Sequence, residues 1–279
     1  MTGKVRRLSW RIEIEETGMQ IDYYNFRSIY IPVFLIRMEY NSMNTALILA
    51  GGVDARFKMD IPKQFVNVNN RPIIVYTLEI FQNHPDIDEI MVTCLDGWQE
   101  MVRVYGKQFN ITKLKEIIPG GRDAQESTYN GLKAMRARMG QGDIVIVHDA
   151  IRPMVSEEII TSSIQMCRKK GMGVAATYIM DTIMHSGNGR EGYESLNRYQ
   201  IMKVQTPQAF DFELLWKLHN QAAERKCFGA WDNSSMITKL GETVYFSEGS
   251  DLNLKINTTE DVEMFRALYK MKHPEEKNS

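Results

Sequence analysis

Cysteine is scarce in this chain: Cys94, Cys167 and Cys227 are the only three among 279 residues. Their separation excludes a CxxC metal knuckle or a disulfide framework, and each reads as a small apolar side chain in a reducing compartment. An excess of one charge is lacking as well. Thirty-four Lys and Arg stand against 35 Asp and Glu, a formal net charge of −1. That balance carries no electrostatic footprint for nucleic acid or an anionic membrane. No apolar run reaches the roughly 20 residues of a membrane span. The stretch 28–36 comes nearest, and no small-residue cleavage pattern follows it as it would follow a signal-peptide core. The P-loop pattern is missing too, because no Gly-Lys-Ser/Thr follows the glycines at the required spacing. What remains is an enzyme-sized chain with a cytoplasmic location and neither nucleic acid nor membrane as partner.

What is present is concentrated in residues 46–65. A short apolar run, Ala46-Leu-Ile-Leu-Ala50, stops at Gly51-Gly52, and Arg56 and Lys63 follow, the latter in a Pro-Lys-Gln turn. An apolar run halted by glycine reads as a buried strand of a parallel sheet. Glycines without a Cβ let backbone N–H groups approach a ligand, and two cations just beyond suit a polyphosphate.

From residue 44 strand and helix alternate. The spacing predicts strands at 46–49, 89–94, 116–119, 143–147 and 173–178, and helices at 72–83, 97–108, 123–139 and 157–170. Such alternation predicts an α/β fold, a mostly parallel sheet with helices on both faces, whose ligands bind beyond the carboxyl ends of the strands. Gly51-Gly52, Gly120-Gly121 and Asp149 all fall at such ends. Residues 181–206 break the rhythm and predict a protruding β-arm of the kind that pairs across a dimer, the alternative being a surface hairpin on a monomer. Residues 1–42 read as an N-terminal extension or a misassigned start, 43–270 as one domain, and 271–279 as a charged tail, frayed from Tyr269 onward.

Six motifs in order carry a resemblance. They are Ala-Gly-Gly…Arg…Pro-Lys-Gln-Phe (50–65), Gly-Gly…Ser…Asn-Gly-Leu (120–132), Val-His-Asp-Ala-Ile-Arg-Pro (147–153), Asp-Thr (181–182), Arg…Thr-Pro-Gln (198–208) and Asn-Leu-Lys-Ile-Asn-Thr (253–258). Together they resemble the cytidylyltransferases that make CDP-methylerythritol or CDP-ribitol. The resemblance implies a Rossmann-like nucleotidyltransferase fold, a homodimer through the arm, and CTP and a polyol phosphate as substrates with Mg²⁺ as cofactor. A phosphate oxygen of the acceptor attacks the α-phosphorus of CTP, and catalysis rests on positioning and charge neutralisation.

By the same resemblance Arg56, Lys63 and Lys255 are the catalytic cations. Ala50, Gly51, Gly52, Gly121 and Ser127 hold the nucleotide, the last two reading the cytosine. Asp149 helps to hold Mg²⁺. Asp181, Thr182, Arg198 and Thr206 belong to the acceptor, Arg198 and Thr206 reaching from the partner subunit. Arg152 is either structural or part of the acceptor pocket. His148 reads as a packed strand-end residue, because an incoming phosphate anion needs no base. Trp98, Trp216 and Trp231 read as core or pocket wall.

Two departures and two alternatives complete the reading. Asp54 stands where the family has a second glycine, and Phe57 where it has methionine. An inward-facing Asp54 about 4 Å from a phosphate, at an effective dielectric of about 20, would cost roughly 4 kcal/mol. The loop's Leu-Ala-Gly-Gly form, Arg71-Pro-Ile-Ile and Trp98 lean toward a pentitol phosphate such as ribitol 5-phosphate, and Val-His-Asp-Ala-Ile-Arg-Pro toward methylerythritol phosphate. The alternatives are a sugar-1-phosphate nucleotidyltransferase using another NTP, which should lack the Arg…Thr-Pro-Gln arm, and a non-catalytic nucleotide-binding paralogue.

Overall fold

The computed structural model describes residues 42–52, 57 and 61–274; the expectations for residues 1–41, Asp54, Arg56 and 275–279 lie outside them. Inside a seven-stranded sheet β1 (Asn44–Ala50) is flanked in parallel by β4 (Glu89–Cys94) and β6 (Ile144–Asp149). Beyond β4 lies β5 (Leu114–Pro119), again parallel. Beyond β6 lies β10 (Met202–Asp211), antiparallel both to β6 and to β7 (Met172–Tyr178), and β11 (Phe246–Glu248) closes that edge in parallel with β7. The sheet is therefore mostly parallel, with β10 alone reversed among its described strands.

A strand bonded in parallel on both sides is covered on both faces, which is why β1 is apolar without interruption from Ala46 to Ala50. The period of two still decides which helix each residue meets. Ala46, Ile48 and Ala50 join Ile90, Val92, Ile144 and Ile146 under α1 (Ile73–Asn83), α2 (Gln99–Gln108) and α4 (Glu157–Lys170). Leu47 joins Met91, Val145 and Val147 on the opposite face, under α3 (Ala124–Met135), α5 (Phe212–Glu224) and α6 (Asn233–Lys239). Leu47 and Phe81 are fully buried, and each such side chain contributes about 1.5–3 kcal/mol. Helices on both faces follow from that alternation.

A third apolar cluster lies outside the sheet. There α7 (Thr259–Lys272) packs Val262, Phe265 and Tyr269 against Ile73, Tyr76, Ile151, Met154, Ile256 and Phe57. A reciprocal capping box starts this helix: Asp261 N–H donates to Thr258 Oγ1 (3.2 Å), and Asp261 Oδ2 accepts from Thr258 N–H (2.9 Å). The small antiparallel pair β2 (Asn67–Val68) and β3 (Arg71–Pro72) leads into α1, whose first residue follows Pro72.

Three boundaries differ from the expectation by more than two residues. The third helix ends at Met135 rather than 139, because Arg138 N–H and Met139 N–H both turn back to the Met135 carbonyl. The frayed tail does not begin at Tyr269: α7 continues to Lys272, held by the buried Phe265 and Tyr269, with Lys270 and Lys272 suited to its C-terminal dipole. The arm is shorter than 181–206. It is the hairpin of β8 (Ile183–His185) and β9 (Glu194–Leu196), and the chain has rejoined the sheet in β10 by Met202. No helix among the described residues is long and apolar enough to cross a membrane.

Candidate active site

Two glycine turns face one another at the carboxyl ends of the strands. A Cβ at Gly120, after β5, would lie 3.2 Å from Gly51 Cα and 3.3 Å from the Cys94 carbonyl oxygen, so backbone packs on backbone. Gly120 N–H donates to that carbonyl (2.7 Å). At Gly121 a Cβ would come within 2.5 Å of Glu126 Cβ, which leaves glycine as the residue that fits. The turn after β1 is fastened from beneath, where Gln64 Nε2 donates to the carbonyls of Ala50 (2.8 Å) and Gly52 (3.4 Å).

The pocket between these turns is bounded by the first turn of α3. Asp123 caps that helix, accepting from Glu126 N–H (2.8 Å), and Ser127 Oγ accepts from Gly121 N–H (2.8 Å). Because its oxygen is so engaged, the Ser127 hydroxyl keeps a hydrogen to donate. Open N–H groups at a helix start favour an anion or a polar heterocycle edge.

Asp149, at the end of β6, is the charged centre of the pocket wall. Its Oδ2 meets Lys255 Nζ at 3.0 Å and Arg152 Nε at 3.1 Å, and accepts from the Thr206 hydroxyl (3.4 Å), whose oxygen in turn accepts from Asp149 N–H (3.1 Å). The side chain is 15% exposed. Burial pushes the carboxyl pKa up, but the Lys255 ammonium and Arg152 guanidinium outweigh it and hold the group well below the usual carboxylate range. Asp149 is therefore an anion at neutral pH. All its side-chain contacts with the described residues fall on Oδ2, leaving Oδ1 for a cation. Among the described residues, no three His, Cys, Asp or Glu stand together as a metal cage.

One segment holds both lysines. Lys63, in a single 3-10 turn (Lys63–Phe65), donates to Asn257 Oδ1 (3.2 Å), two residues after Lys255. Arg152 Nη1 donates to the Asn253 carbonyl (2.8 Å), Asn253 Nδ2 to the Thr206 carbonyl (2.8 Å), and Ile256 N–H to the Ile151 carbonyl (2.9 Å). Arg152 thereby resolves as the residue that pins Asp149 to segment 253–257. His148 is fully buried, packed on Phe81 and bonded through Nε2 to the Arg152 carbonyl (3.2 Å). Burial takes its pKa down to about 3, so it is neutral and packed, as expected.

Ala50, Gly51, Gly52, Lys63, Gly121, Ser127 and Asp149 thus line one pocket, with Lys255, Arg152 and Thr206 joined to it through Asp149. Asp181, Thr182 and Arg198 do not. They gather at the base of the exposed hairpin, where an Arg198 Nη1 hydrogen bond to the Met180 carbonyl brings the returning strand beside the outgoing one. Thr206 is corrected in position: it sits in β10 beside its own chain's Asp149, not in the arm.

Sequence reasoning passed over Gln64 and Asn257. Both lie inside quoted motifs, but neither is charged, and their service is to backbone and to Lys63. Trp98 is stacked on Phe65 (4.4 Å) behind the lysine turn, and Trp216 packs with Phe212 and Tyr129. Trp231, 90% exposed, is not core. Cys94 and Cys167 are buried, and burial pushes both thiols up to about 12, as inert packing requires.

Comparison with known proteins places this geometry. The profile of the family described as 2-C-methyl-D-erythritol 4-phosphate cytidylyltransferase (IspD) matches residues 44–270. The ribitol-5-phosphate cytidylyltransferase of Lacticaseibacillus paracasei is 38% identical over 233 residues, 82% of this chain and 99% of that one. The 2-C-methyl-D-erythritol 4-phosphate cytidylyltransferase of Clostridium tetani is 35% identical over 221 residues, 79% of this chain and 88% of its own. The crystal structure of 4-diphosphocytidyl-2C-methyl-D-erythritol synthase from Anaerococcus prevotii shares the fold with a TM-score of 0.71 at 24% identity, over 82% of this chain and 96% of that one. The corresponding cytidylyltransferase of Thermus thermophilus gives 0.65 at 27%, over 81% and 98%.

Proposed function

The chain belongs to the 2-C-methyl-D-erythritol 4-phosphate cytidylyltransferase (IspD) family, and from that membership we propose that its acceptor is a pentitol phosphate, ribitol 5-phosphate first. The enzyme is a nucleotidyltransferase that moves CMP from CTP to a polyol phosphate and releases pyrophosphate. The observation that carries the choice of acceptor is 38% identity extending over nearly the whole of the Lacticaseibacillus ribitol enzyme. The second reading, methylerythritol phosphate, is supported by the Clostridium relative and by Val-His-Asp-Ala-Ile-Arg-Pro.

In this reading the two glycine turns and the start of α3 receive the nucleotide, with Ser127 and Gly121 at the cytosine. Lys63 faces the leaving pyrophosphate, a role that the family resemblance gives to Arg56 as well, and Lys255 stands beside the α-phosphate. The acceptor phosphate is already an anion, so no residue need take its proton; the chain lines up the two phosphates and offsets their repulsion. Mg²⁺ fits the donor set, since one carboxylate completed by phosphate oxygens and waters is its usual complement and Asp149 Oδ1 is available. When bound, the ion neutralises phosphate charge. Arg152 keeps Asp149 ionised and oriented. Asp181, Thr182 and Arg198 would serve the acceptor of a partner subunit in a homodimer, and a cytoplasmic setting supplies the CTP.

The test is direct. Purified protein with Mg²⁺, each of four NTPs and a panel of polyol phosphates is assayed for pyrophosphate release. Release with CTP and ribitol 5-phosphate is expected. Release with methylerythritol phosphate alone would move the acceptor to the second reading, and no release with any pair would overturn the catalytic one.

A further inference from the structure

Trp231 is the most exposed large apolar side chain among the described residues, at 90%, yet the backbone on either side of it is tied down. Ala230 N–H donates to Gln125 Oε1 (3.1 Å), and Gln125 Nε2 donates to the Cys227 carbonyl (2.8 Å); Gln125 belongs to the α3 turn that walls the pocket. On the other side, Asp232 accepts from Gln208 Nε2 (2.6 Å) and from Ser235 N–H (2.8 Å) as the cap of α6. Gln208 is two residues beyond Thr206 along β10, and Thr206 holds Asp149. An indole is thus presented on a fixed loop, strung between the pocket's α3 wall and the strand that supports its charged centre. An indole left exposed among the described residues on a tied-down loop offers a flat apolar face from which a ligand contact can be made.

The geometry of the reaction says what that ligand is. Lys63 and the β1 turn take the pyrophosphate side, so an in-line acceptor approaches from the opposite side of the α-phosphate, past Asp149 and Thr206. Its phosphate is spent at the reacting centre, and its carbon chain trails outward along the rim. We infer that Trp231 is an acceptor-specificity residue: its indole covers the C–H face of the polyol chain and selects for chain length and branching. This rests on the polyol-phosphate reading above.

The experiment measures initial rates with CTP fixed at saturation and ribitol 5-phosphate or methylerythritol phosphate varied, for wild type, Trp231→Ala and Trp231→Phe. Trp231→Ala is expected to raise the KM of the preferred acceptor about tenfold and to narrow the ratio of kcat/KM between the two acceptors, with the KM for CTP and the maximal rate within about threefold. Trp231→Phe should recover most of the loss, since an aromatic face remains. Acceptor added to the CTP-bound enzyme, with Ca²⁺ replacing Mg²⁺, should change tryptophan emission in wild type and much less in Trp231→Phe. An unchanged acceptor KM and ratio would overturn the inference while leaving the acceptor reading intact. A shift in sedimentation from dimer to monomer in Trp231→Ala would also overturn it, by giving the indole to a subunit interface. Inactivity of the wild type with every polyol phosphate would remove both.

Discussion

The pocket at the strand ends and the hairpin of β8 and β9 differ in how far one chain completes them. In the pocket the described charged groups are tied to their own chain: glycine turns packed on one another, Lys63 on Asn257, Lys255 and Arg152 on Asp149. The hairpin and its base carry exposed side chains, among them Met180 at 72%, Tyr193 at 66% and Tyr199 at 77%. Arg198 there meets its own hairpin and the Tyr199 ring, not the pocket. On the proposed reading one chain holds the nucleotide, whereas the acceptor residues at the hairpin would need a site that the described residues of this chain do not bring to them. An exposed apolar hairpin of this kind fits a second copy of the chain.

The largest effect should come from the pocket's cations. Lys63→Ala and Lys255→Ala are each expected to lower kcat/KM for CTP by about 10²–10³, the range for removing one group that meets developing charge. Pyrophosphate release measures it. Lys255→Ala also leaves Asp149 with Arg152 as its one cationic partner among the described residues, so it should alter the Mg²⁺ dependence more than Lys63→Ala does. Near-wild-type rates for both would break the claim that the pocket is the reacting centre.

Next in size is a subunit test. Arg198→Ala should raise the acceptor KM by about 10²-fold, as expected for loss of a phosphate-binding guanidinium. Mixing the inactive Lys63→Ala and Arg198→Ala chains should then restore about a quarter of wild-type activity, because in randomly paired two-fold dimers half the molecules hold one intact composite site. No restoration would place Arg198 in its own chain's reaction and remove the contrast between pocket and hairpin.

A smaller effect is expected at the base. Ser127→Ala leaves Gly121 N–H without its acceptor and removes the hydroxyl donor, and should lower the preference for CTP over UTP about tenfold, read from competing kcat/KM values. An unchanged preference would move base reading to the backbone alone.

Most of the pocket was legible in the sequence because its makers leave local marks. Glycine pairs after apolar runs, a lysine after proline and an aspartate closing a strand are each readable within ten residues, and strand ends converge by topology. Period and charge could not show what passes between distant segments. Gln64 and Asn257 are neutral and serve backbone and a lysine. Thr206 was assigned to the arm because 181–206 has no period, whereas its true neighbour, Asp149, is 57 residues away. The end of α3 was overrun because Arg136–Met139 keeps helix-forming composition while its backbone tightens onto Met135. For Trp231 the sequence leaves core and pocket wall both open, and only the fold shows the side chain exposed.

The smallest prediction separates scaffold from site through two buried histidines. His148 lies beside Asp149, and burial lowers its pKa to about 3; His219, stacked on Tyr129 with Nε2 bonded to Asn233 (3.0 Å), is lowered by burial to about 4. Both are neutral in the native protein at neutral pH. In the unfolded chain each takes a proton near pH 6.5. Between there and the folded values the unfolded state binds more protons, so stability falls as pH falls through that window and the histidine contribution levels off below it. His219→Gln should keep an amide near Asn233, flatten the slope between pH 6.5 and 4 by up to about 1.4 kcal/mol per pH unit, and leave pyrophosphate release at pH 7 unchanged. Urea unfolding midpoints across that range supply the measurement. An unchanged slope would mean His219 is protonated in the native state, and a lost activity would mean that the layer between α3 and α5 shapes the pocket rather than only supporting it.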